Sequence, residues 1–404
     1  MWHNDRNTGT NDTGRRRPFR VFCSLFIFCL FLLAACSRQK GKEETGQPEV
    51  DSKISAELVY EGRTELKYAT GFALDRFAGG YTLITIPDSG RFLVVPKEKE
   101  IPGGLEEDIV VLKQPVDRIY LAASAAMDMF RVLDGLSAVR LSGTDQDGWY
   151  IEEAKAAMER GEILYAGKYS TPDYELIRRE NCELAVENRM ITHAPEVREK
   201  LQKLGIPVLI DHSSQESEPM GRVEWVRLYG VLLDKEEEAE KAFARQDKAW
   251  QEASEGNQTA LEHAPTVAFF YITTDGAVSV RKSSDYVPKM ITLAGGRYVF
   301  DRLGDEEAKT SSVTMQMEEF YAAARNADYL IYNSSIDGGI SSMDELLSKS
   351  ALLKDFKAVQ EGGVFCTTQN LYQETMSIGS MTEDIHRMLT GEGGEEMQYL
   401  YRVE

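Results

Sequence analysis

The sequence predicts an α/β fold with two Rossmann-like lobes, joined by one long backbone helix and preceded by a β-rich N-terminal extension. Short apolar runs alternate with helical stretches, and this alternation occurs twice, before and after a charged helical stretch near residues 235–254. Alternating strands and helices are typical of a mainly parallel sheet covered by helices. Period-two apolar spacing near residues 71–95 predicts the β-rich extension.

The chain opens with the pattern of an export signal. The basic stretch RRRPFR precedes an apolar run at 21–35, and LAAC ends at Cys36. The run is shorter than the roughly 20 residues of a membrane-spanning helix and is typical of a signal peptide. LAAC resembles a bacterial lipobox, in which the cysteine is lipidated and the bond before it is cut; an ordinary signal peptide with a chance cysteine is the alternative. We predict a signal peptide over 1–35 and an exported protein, lipid-anchored through Cys36 on the outer face of the bacterial cell membrane.

The rest of the composition limits the partners. Residues 36–53 are almost free of apolar side chains and are predicted to form a flexible tether. Removal of residues 1–35 takes away five arginines and two aspartates, which leaves 41 basic and 64 acidic residues and a formal charge of −23. Such an acidic chain excludes nucleic acid as the expected partner, and excludes adhesion to anionic lipid through charge. Cys182 and Cys366 are predicted to be two buried thiols.

The first lobe is predicted over residues 54–214, with a β-hairpin at its entry. Apolar residues alternate on both sides of the turn PDSG, in GFALDRFAGGYTLITI and RFLVVP, which indicates a hairpin. The predicted strands after it are VDRIYLA (116–122), AVRLSG (138–143), CELAVE (182–187) and IPVLID (206–211). Helical spacing lies between them in SAAMDMFRVLDGL, YIEEAKAAMERG and APEVREKLQKLG.

Residues 215–256 are predicted to connect the lobes through helices. Asp234 and Glu237 have the spacing of a helix cap and its capping-box partner. Ala239, Phe243 and Trp250 then recur at helical spacing, which predicts a helix about 30 Å long.

The second lobe is predicted over residues 257–404. Its strands are TVAFFYI (266–272), YVF (298–300), ADYLIYN (327–333) and GVFCTT (363–368), and its helices are DYVPKMITLAGG, MQMEEFYAAARN and MDELLSKSALLKDF. The lobes repeat one local order: TPDYELIRRENCELAV and TMQMEEFYAAARNADYLIY each show a threonine at the expected helix cap, acids in the first helical turn and then an aliphatic strand.

Five stretches in this order carry a resemblance to a known family: GKYSTPDYELI, KLGIPVLID, GVLLDKEEEAEK, MITLAGGRYVF and MEEFYAAARNADYLI. They resemble the class III substrate-binding proteins of ABC importers for iron siderophores, haem and cobalamin, over nearly all of residues 116–390. The resemblance implies a monomeric, non-enzymatic protein without an intrinsic cofactor, which passes its ligand to a permease dimer driven by a cytoplasmic ATPase. Two stretches depart from the family: CELA stands where the family commonly has PDLV, and SSQESEPMGRVEWVR suggests a special ligand.

The resemblance also implies permease-docking residues. In the family, one glutamate on each lobe pairs with arginines of the permease; Glu175 matches the first position, and Glu318 or Glu319 matches the second. A carboxylate in the first turn of a helix is favoured by the helix dipole, so these acids also suit the alternative of simple helix stabilisation.

Ligand contacts are expected from loops that face the cleft between the lobes. Aromatic faces beside cations suit a large planar or catecholate-bearing anion, although aromatic residues in loops also serve packing alone. The histidines show no metal-ligand spacing, so any metal is expected to arrive inside a chelate such as a ferric siderophore, haem or cobalamin. The predicted ligand contacts are Trp149, Tyr150, Tyr169, Arg222, Trp225, Arg281, Lys282, Tyr286 and Tyr372.

Two other functions remain open at this point. One is a surface-anchored enzyme that acts on a chelate in the interlobe cleft, and the other is a ligand sensor for a membrane receptor. Turnover of bound ligand would favour the enzyme, whereas stoichiometric capture of unchanged ligand favours a binding protein.

Overall fold

The computed structural model describes residues 48–255, 263–304, 311–391 and 397–404. The predicted signal peptide, Cys36 and residues 36–47 of the predicted tether lie outside these ranges. The described residues belong to one compact unit. No helix within them is long and apolar enough to cross a bilayer.

The N-terminal extension forms its own five-stranded sheet, in the order β1-β2-β3-β4-β5. The predicted hairpin is confirmed, because β3 and β4 pair antiparallel with Ile86 opposite Gly90. One face of the sheet joins the main core through Leu74, Ile84 and Phe92, and the other face has its own apolar cluster. The strands are β1 (Tyr60–Arg63), β2 (Ala73–Phe77), β3 (Tyr81–Ile86), β4 (Gly90–Val95) and β5 (Ile109–Lys113).

The first lobe contains a fully parallel sheet in the order β10-β9-β6-β7-β8. Each of the four predicted strands is present, and their apolar residues lie in cores on both faces of the sheet. The strands are β6 (Ile119–Leu121), β7 (Val139–Ser142), β8 (Leu164–Tyr165), β9 (Leu184–Asn188) and β10 (Val208–Asp211). The helices are α1 (Met127–Val132), α2 (Glu152–Glu159), α3 (Tyr174–Arg179) and α4 (Pro195–Lys203).

Three helices follow: α5 (Pro219–Glu224), α6 (Val226–Leu233) and the long helix α7 (Glu236–Glu255). The long backbone helix is confirmed, but the role of Asp234 as its cap is wrong. Asp234 ends α6 in the left-handed conformation, with φ of 57°, and α7 begins two residues later. Aspartate tolerates this conformation, so the same residue type suits a helix end as well as a helix start.

The second lobe has a mixed sheet in the order β14-β12-β11-β15-β16-β17, with β13 also paired to β11. Its centre, β11, β15 and β16, is parallel as predicted, whereas β12, β14 and β17 are antiparallel additions. The strands are β11 (Thr266–Ile272), β12 (Val278–Arg281), β13 (Arg297–Tyr298), β14 (Ser312–Met315), β15 (Tyr329–Tyr332), β16 (Val364–Thr367) and β17 (Leu400–Arg402). The helices are α8 (Tyr286–Leu293), α9 (Met317–Ala324), α10 (Met343–Lys349), α11 (Lys357–Glu361) and α12 (Ile378–Thr390).

The predicted threonine caps of α3 and α9 are wrong. Asp173 caps α3, since its carboxylate accepts hydrogen bonds from the backbone N–H groups of Glu175 and Leu176 at 3.1 and 3.0 Å. Thr314 lies inside β14, and α9 starts after Gln316. In each case the helix starts later along the chain than the threonine.

Candidate functional site

Four of the predicted ligand contacts lie together where the two lobes meet. Arg222 comes from α5, Arg281 ends β12, Tyr286 begins α8, and Tyr372 closes a 3₁₀ turn over Gln369–Tyr372. We call these four residues the arginine–tyrosine cluster. Each guanidinium carbon lies over one tyrosine ring, 3.7 Å from the ring centre for Arg222 on Tyr286 and 5.0 Å for Arg281 on Tyr372.

The Arg222 guanidinium is held by neutral groups. Its Nε donates a hydrogen bond to the main-chain oxygen of Glu216 at 3.1 Å, and one terminal nitrogen donates to the main-chain oxygen of Ser214 at 2.5 Å. Burial lowers the pKa of Arg222, and the nearby positive charge of Arg281 lowers it further. The described part of the chain shows no ion pair to Arg222, and the negative charge of nearby Asp285 only partly offsets its burial, which favours an anionic ligand beside it.

Arg281 sits in a denser polar network. Its guanidinium donates to the Tyr372 hydroxyl and, at 3.1 Å, to the hydroxyl of Ser311, and it lies 3.8 Å from the Asp285 carboxylate. The Asn333 side-chain amide also donates to the Tyr372 hydroxyl, at 3.0 Å. Burial alone lowers the pKa of Arg281, but Tyr372 and Asp285 outweigh it and the net pKa is raised. Arg281 therefore stays charged and fixed in orientation.

A small cavity adjoins the cluster. Its volume is about 150 Å³, below the roughly 300 Å³ at which drug-sized ligands begin to fit. This cavity, whose lining residues all come from the second lobe, is therefore too small for a ligand as large as a metal chelate. The cavity is lined by Phe269, Phe270, Tyr271, Ser279, Val280, Arg281, Ser312, Asn333 and Ile336.

A larger cavity, of about 430 Å³, lies at the other edge of the same sheet. It is lined by Asp328 and Gly363, which directly precede β15 and β16, and by Arg402. Parallel sheets bind ligands beyond the carboxyl ends of their strands. Tyr372 and its hydrogen-bond partner Asn333 follow the carboxyl ends of the parallel strands β16 and β15, whereas the larger cavity lies at the amino ends, so we place the candidate site at the cluster.

The lobes touch directly beside the cluster. The side-chain amide of Gln373 donates to the main-chain oxygen of Gly148 and accepts from the N–H of Tyr150, both at 2.8 Å. The buried Asp128 carboxylate accepts from the N–H of Met376 at 2.7 Å. The structure thus shows the lobes in contact across the cleft.

The two predicted tryptophans lie in the core. Trp149 is 1% exposed and its indole N–H donates to the Ser142 hydroxyl at 3.1 Å; Trp225 is 0% exposed and donates to the Glu216 carboxylate at 3.0 Å. A ligand would reach either ring only after a rearrangement, so ligand contact by Trp149 and Trp225 stays a prediction.

The three other predicted contacts are dispersed. Tyr150 is 39% exposed and lies at the contact with Gln373. Tyr169 is half-buried against the apolar core of the first lobe, and Lys282 is 4% exposed. The structure does not bring these side chains into the arginine–tyrosine cluster.

The predicted docking acids are all exposed. Glu175 lies in the first turn of α3, on the first lobe, and Glu318 and Glu319 lie in the first turn of α9, on the second lobe. Their role in docking stays a prediction.

Several site residues were not predicted from the sequence. Asn333 directly follows the apolar strand β15, so its place at a strand end was a usable signal. Asp285 caps α8 by accepting from the N–H of Val287 at 3.1 Å, and the stretch DYVP contains that signal too. Gln373 lies in a loop with no local pattern, and only the three-dimensional structure shows its role.

A family model matches the larger part of the chain. The model of the periplasmic binding protein family matches residues 126–371, more than half of the chain. Two uncharacterised lipoproteins of Methanocaldococcus jannaschii are similar over most of their length. One is 24% identical over 376 residues, 86% of this chain and 87% of that protein; the other is 23% identical over 382 residues, 91% and 92%.

Solved structures share the fold at low sequence identity. A periplasmic haem-binding protein of Vibrio cholerae matches with a TM-score of 0.55 and 14% identity, over 67% of this chain and 98% of that one. A siderophore-binding protein of the same organism, bound to Fe³⁺–Desferal, matches with a TM-score of 0.50 and 13% identity, over 68% and 99%. An ABC transporter substrate-binding protein of Listeria monocytogenes matches with a TM-score of 0.50 and 17% identity, again over 68% and 99%.

Proposed function

Since the chain belongs to the periplasmic binding protein family, we propose that it captures an anionic metal chelate between its lobes and delivers it to an ABC importer. The arginine–tyrosine cluster carries this proposal. Two guanidinium groups lie on tyrosine rings, and one of these tyrosines, Tyr372, follows the parallel strand β16 and accepts a hydrogen bond from Asn333 at the end of β15. Carboxylate and catecholate oxygens are strong hydrogen-bond acceptors for guanidinium groups.

The positive charge of the cluster predicts an order of affinity for the three ligand classes. Haem has two propionates and ferric catecholate siderophores carry negative charge, so both suit the cluster. Cobalamin presents amides where haem presents carboxylates, and we expect it to bind most weakly of the three. The lobes contact each other across the cleft, so we expect them to open and close around any of these ligands.

We also propose how the protein is held at the membrane and how it docks. A lipid on Cys36 would hold the protein at the membrane, with residues 36–53 as tether, and mass spectrometry of the mature N-terminus would test this. Lobes over 54–214 and 257–404, connected by 215–256, would dock through Glu175 with Glu318 or Glu319.

Tryptophan fluorescence of the mature protein, titrated with a ferric catecholate, haem and cobalamin, tests ligand capture. We expect saturable, one-to-one binding of at least one of the two anionic ligands, with the ligand recovered unchanged. A flat response to all three would contradict the proposed ligand class, and turnover would favour an enzyme.

A separate experiment tests delivery. The combined variant Glu175→Ala, Glu318→Ala and Glu319→Ala should bind ligand as the wild type does but lose uptake in its host cells, because permease arginines lose their partners. The control, Glu199→Ala with Glu361→Ala, removes exposed glutamates of other helices and should keep uptake. Normal uptake by the triple variant would contradict docking through these acids.

A further inference from the structure

Two buried glutamates of the stretch SSQESEPMGRVEWVR hold the backbone of the N-terminal extension. Glu224, at the end of α5, accepts hydrogen bonds from the N–H groups of Lys67, Tyr68 and Ala69 at 2.8–2.9 Å. Glu216, just before α5, accepts from the N–H groups of Thr70 and Gly71, with a shortest distance of 2.8 Å. Five consecutive N–H groups thus bind two carboxylates.

The contact is too tight for larger residues. A Cβ atom at Gly71 would lie 2.9 Å from the Trp225 ring and 3.0 Å from the Glu216 carboxylate. A Cβ atom at Gly221, on α5, would lie 3.3 Å from both the Glu216 side chain and the main-chain oxygen of Tyr68. The extension therefore packs on α5 through specific polar and steric contacts.

Glu216 also contacts the ligand site, through Arg222. The Glu216 side chain binds Thr70, Gly71 and the Trp225 indole, while its main-chain oxygen accepts from Arg222 Nε. Glu216 is 5% exposed, so this arrangement is shielded from water. A shift of Glu216 would therefore move the carbonyl that holds Arg222 over Tyr286.

We propose that Glu216 is a positioning residue, through which the N-terminal extension fixes Arg222 in the arginine–tyrosine cluster. Its expected effect on ligand affinity rests on the proposed function. The family model begins at residue 126, so the extension lies outside the part of the chain that the family model matches. The extension is thereby a working part of the binding site.

The test uses Glu216→Gln in the mature protein, with haem and a ferric catecholate as probes. The amide places an N–H group against the Thr70 donors, so affinity should fall about tenfold, which corresponds to about 1.4 kcal/mol. The matched control is Glu57→Gln: Glu57 also accepts from a backbone N–H, that of Gly103, at 2.7 Å, but does so within the extension. Its affinity should stay within about twofold.

A double-mutant cycle separates positioning from general destabilisation. If Glu216 acts through Arg222, then Glu216→Gln should cause no further loss of affinity in an Arg222→Ala background. An equal loss in both backgrounds would overturn the proposal. If Glu216→Gln fails to fold, Thr70→Val removes a 3.1 Å hydrogen bond to the same carboxylate at nearly constant shape and enters the same cycle, with a smaller effect.

Amide hydrogen exchange gives a reading without ligand. In Glu216→Gln, exchange should rise at residues 67–71 and also at residues 213–226, while Glu57→Gln leaves both segments protected. A rise confined to residues 67–71 would overturn the coupling to Arg222. If no probe binds the wild type, the proposed function fails, and hydrogen exchange alone still decides whether the extension positions the Arg222 segment.

Discussion

The two lobes meet at the cleft with different chemistry. The second lobe presents charged and aromatic side chains, among them Arg281, Tyr286 and Tyr372. The first lobe contributes main-chain groups of Gly148 and Tyr150 and the buried carboxylate of Asp128, which accepts from a backbone N–H.

From this difference we assign ligand selectivity and closure of the cleft to different parts of the molecule. Main-chain contacts fix geometry but are available to any sequence, whereas a guanidinium selects for negative charge. We infer that the second lobe and α5 determine which ligand binds, and that the first lobe closes over it. The first lobe has an unusual buried acid elsewhere, in its own core.

That acid is Glu187, near the end of β9. It is 0% exposed, and among the described residues neither carboxylate oxygen has a hydrogen-bond partner. Its neighbours include the rings of Tyr120 and Tyr174. Burial raises the pKa of Glu187 from its ordinary value of 4.5 to about 8.

The largest predicted effect is on the pH dependence of the free energy of unfolding, and it comes from the Glu187 carboxyl group. Between pH 4.5 and about 8 the folded state retains a proton that the unfolded chain releases, so this group lowers the free energy of unfolding as pH rises. Between pH 5 and pH 8 the wild type should lose on the order of 3 kcal/mol of its free energy of unfolding through this group, and Glu187→Gln should not show this loss. Urea unfolding at the two pH values measures the difference. The control Glu199→Gln, at an exposed site on α4, should keep the wild-type pH dependence. An unchanged dependence in Glu187→Gln would show that its carboxyl group titrates normally.

The next effect is on affinity and concerns the second lobe. Arg281→Ala should weaken binding of haem or a ferric catecholate about 10- to 100-fold, because a hydrogen bond to a charged group contributes about 1.5–3 kcal/mol. Calorimetric titration measures this, with the exposed Arg302→Ala of the same lobe as control. Equal affinities in Arg281→Ala and the wild type would contradict the role of the second lobe in selecting a negatively charged ligand.

The smallest effect concerns closure by the first lobe. Gln373→Ala removes two hydrogen bonds across the cleft and should speed ligand dissociation about fivefold, as a net loss of about 1 kcal/mol implies. Gln369→Ala is the matched control, since Gln369 donates to Gly338 within its own lobe at 2.9 Å. Stopped-flow dissociation rates that are equal in the two variants would contradict the role of Gln373 in closure.

The sequence predicted the fold better than the direction of side chains. Strand β11 spans Thr266–Ile272 as predicted, because a long apolar run with β-branched and aromatic residues has few alternatives. The edge strands β14 and β17 were missed, since short edge strands carry mixed polar and apolar residues and resemble loops. Their pairing depends on neighbours that are distant in sequence.

The sequence predicted only some of the site residues, because it does not give the direction of side chains. Arg281 was a candidate because it stands near an aromatic residue in a predicted loop, and Arg222 because it lies with Trp225 in a stretch that departs from the family. Trp149 was chosen for its predicted loop and Trp225 for the same divergent stretch as Arg222, yet both rings turn inward, to Ser142 and Glu216. A loop position does not determine which way an indole points; a nearby polar partner in the core does.

The central claim is that the arginine–tyrosine cluster selects an anionic ligand. Calorimetric titration with an anionic ferric catecholate and an uncharged ferric hydroxamate of similar size tests it most directly. We predict at least tenfold tighter binding of the anionic chelate, and collapse of that ratio in the Arg222→Ala, Arg281→Ala double variant. Equal or tighter binding of the uncharged chelate, or a ratio that survives the double substitution, would contradict the claim.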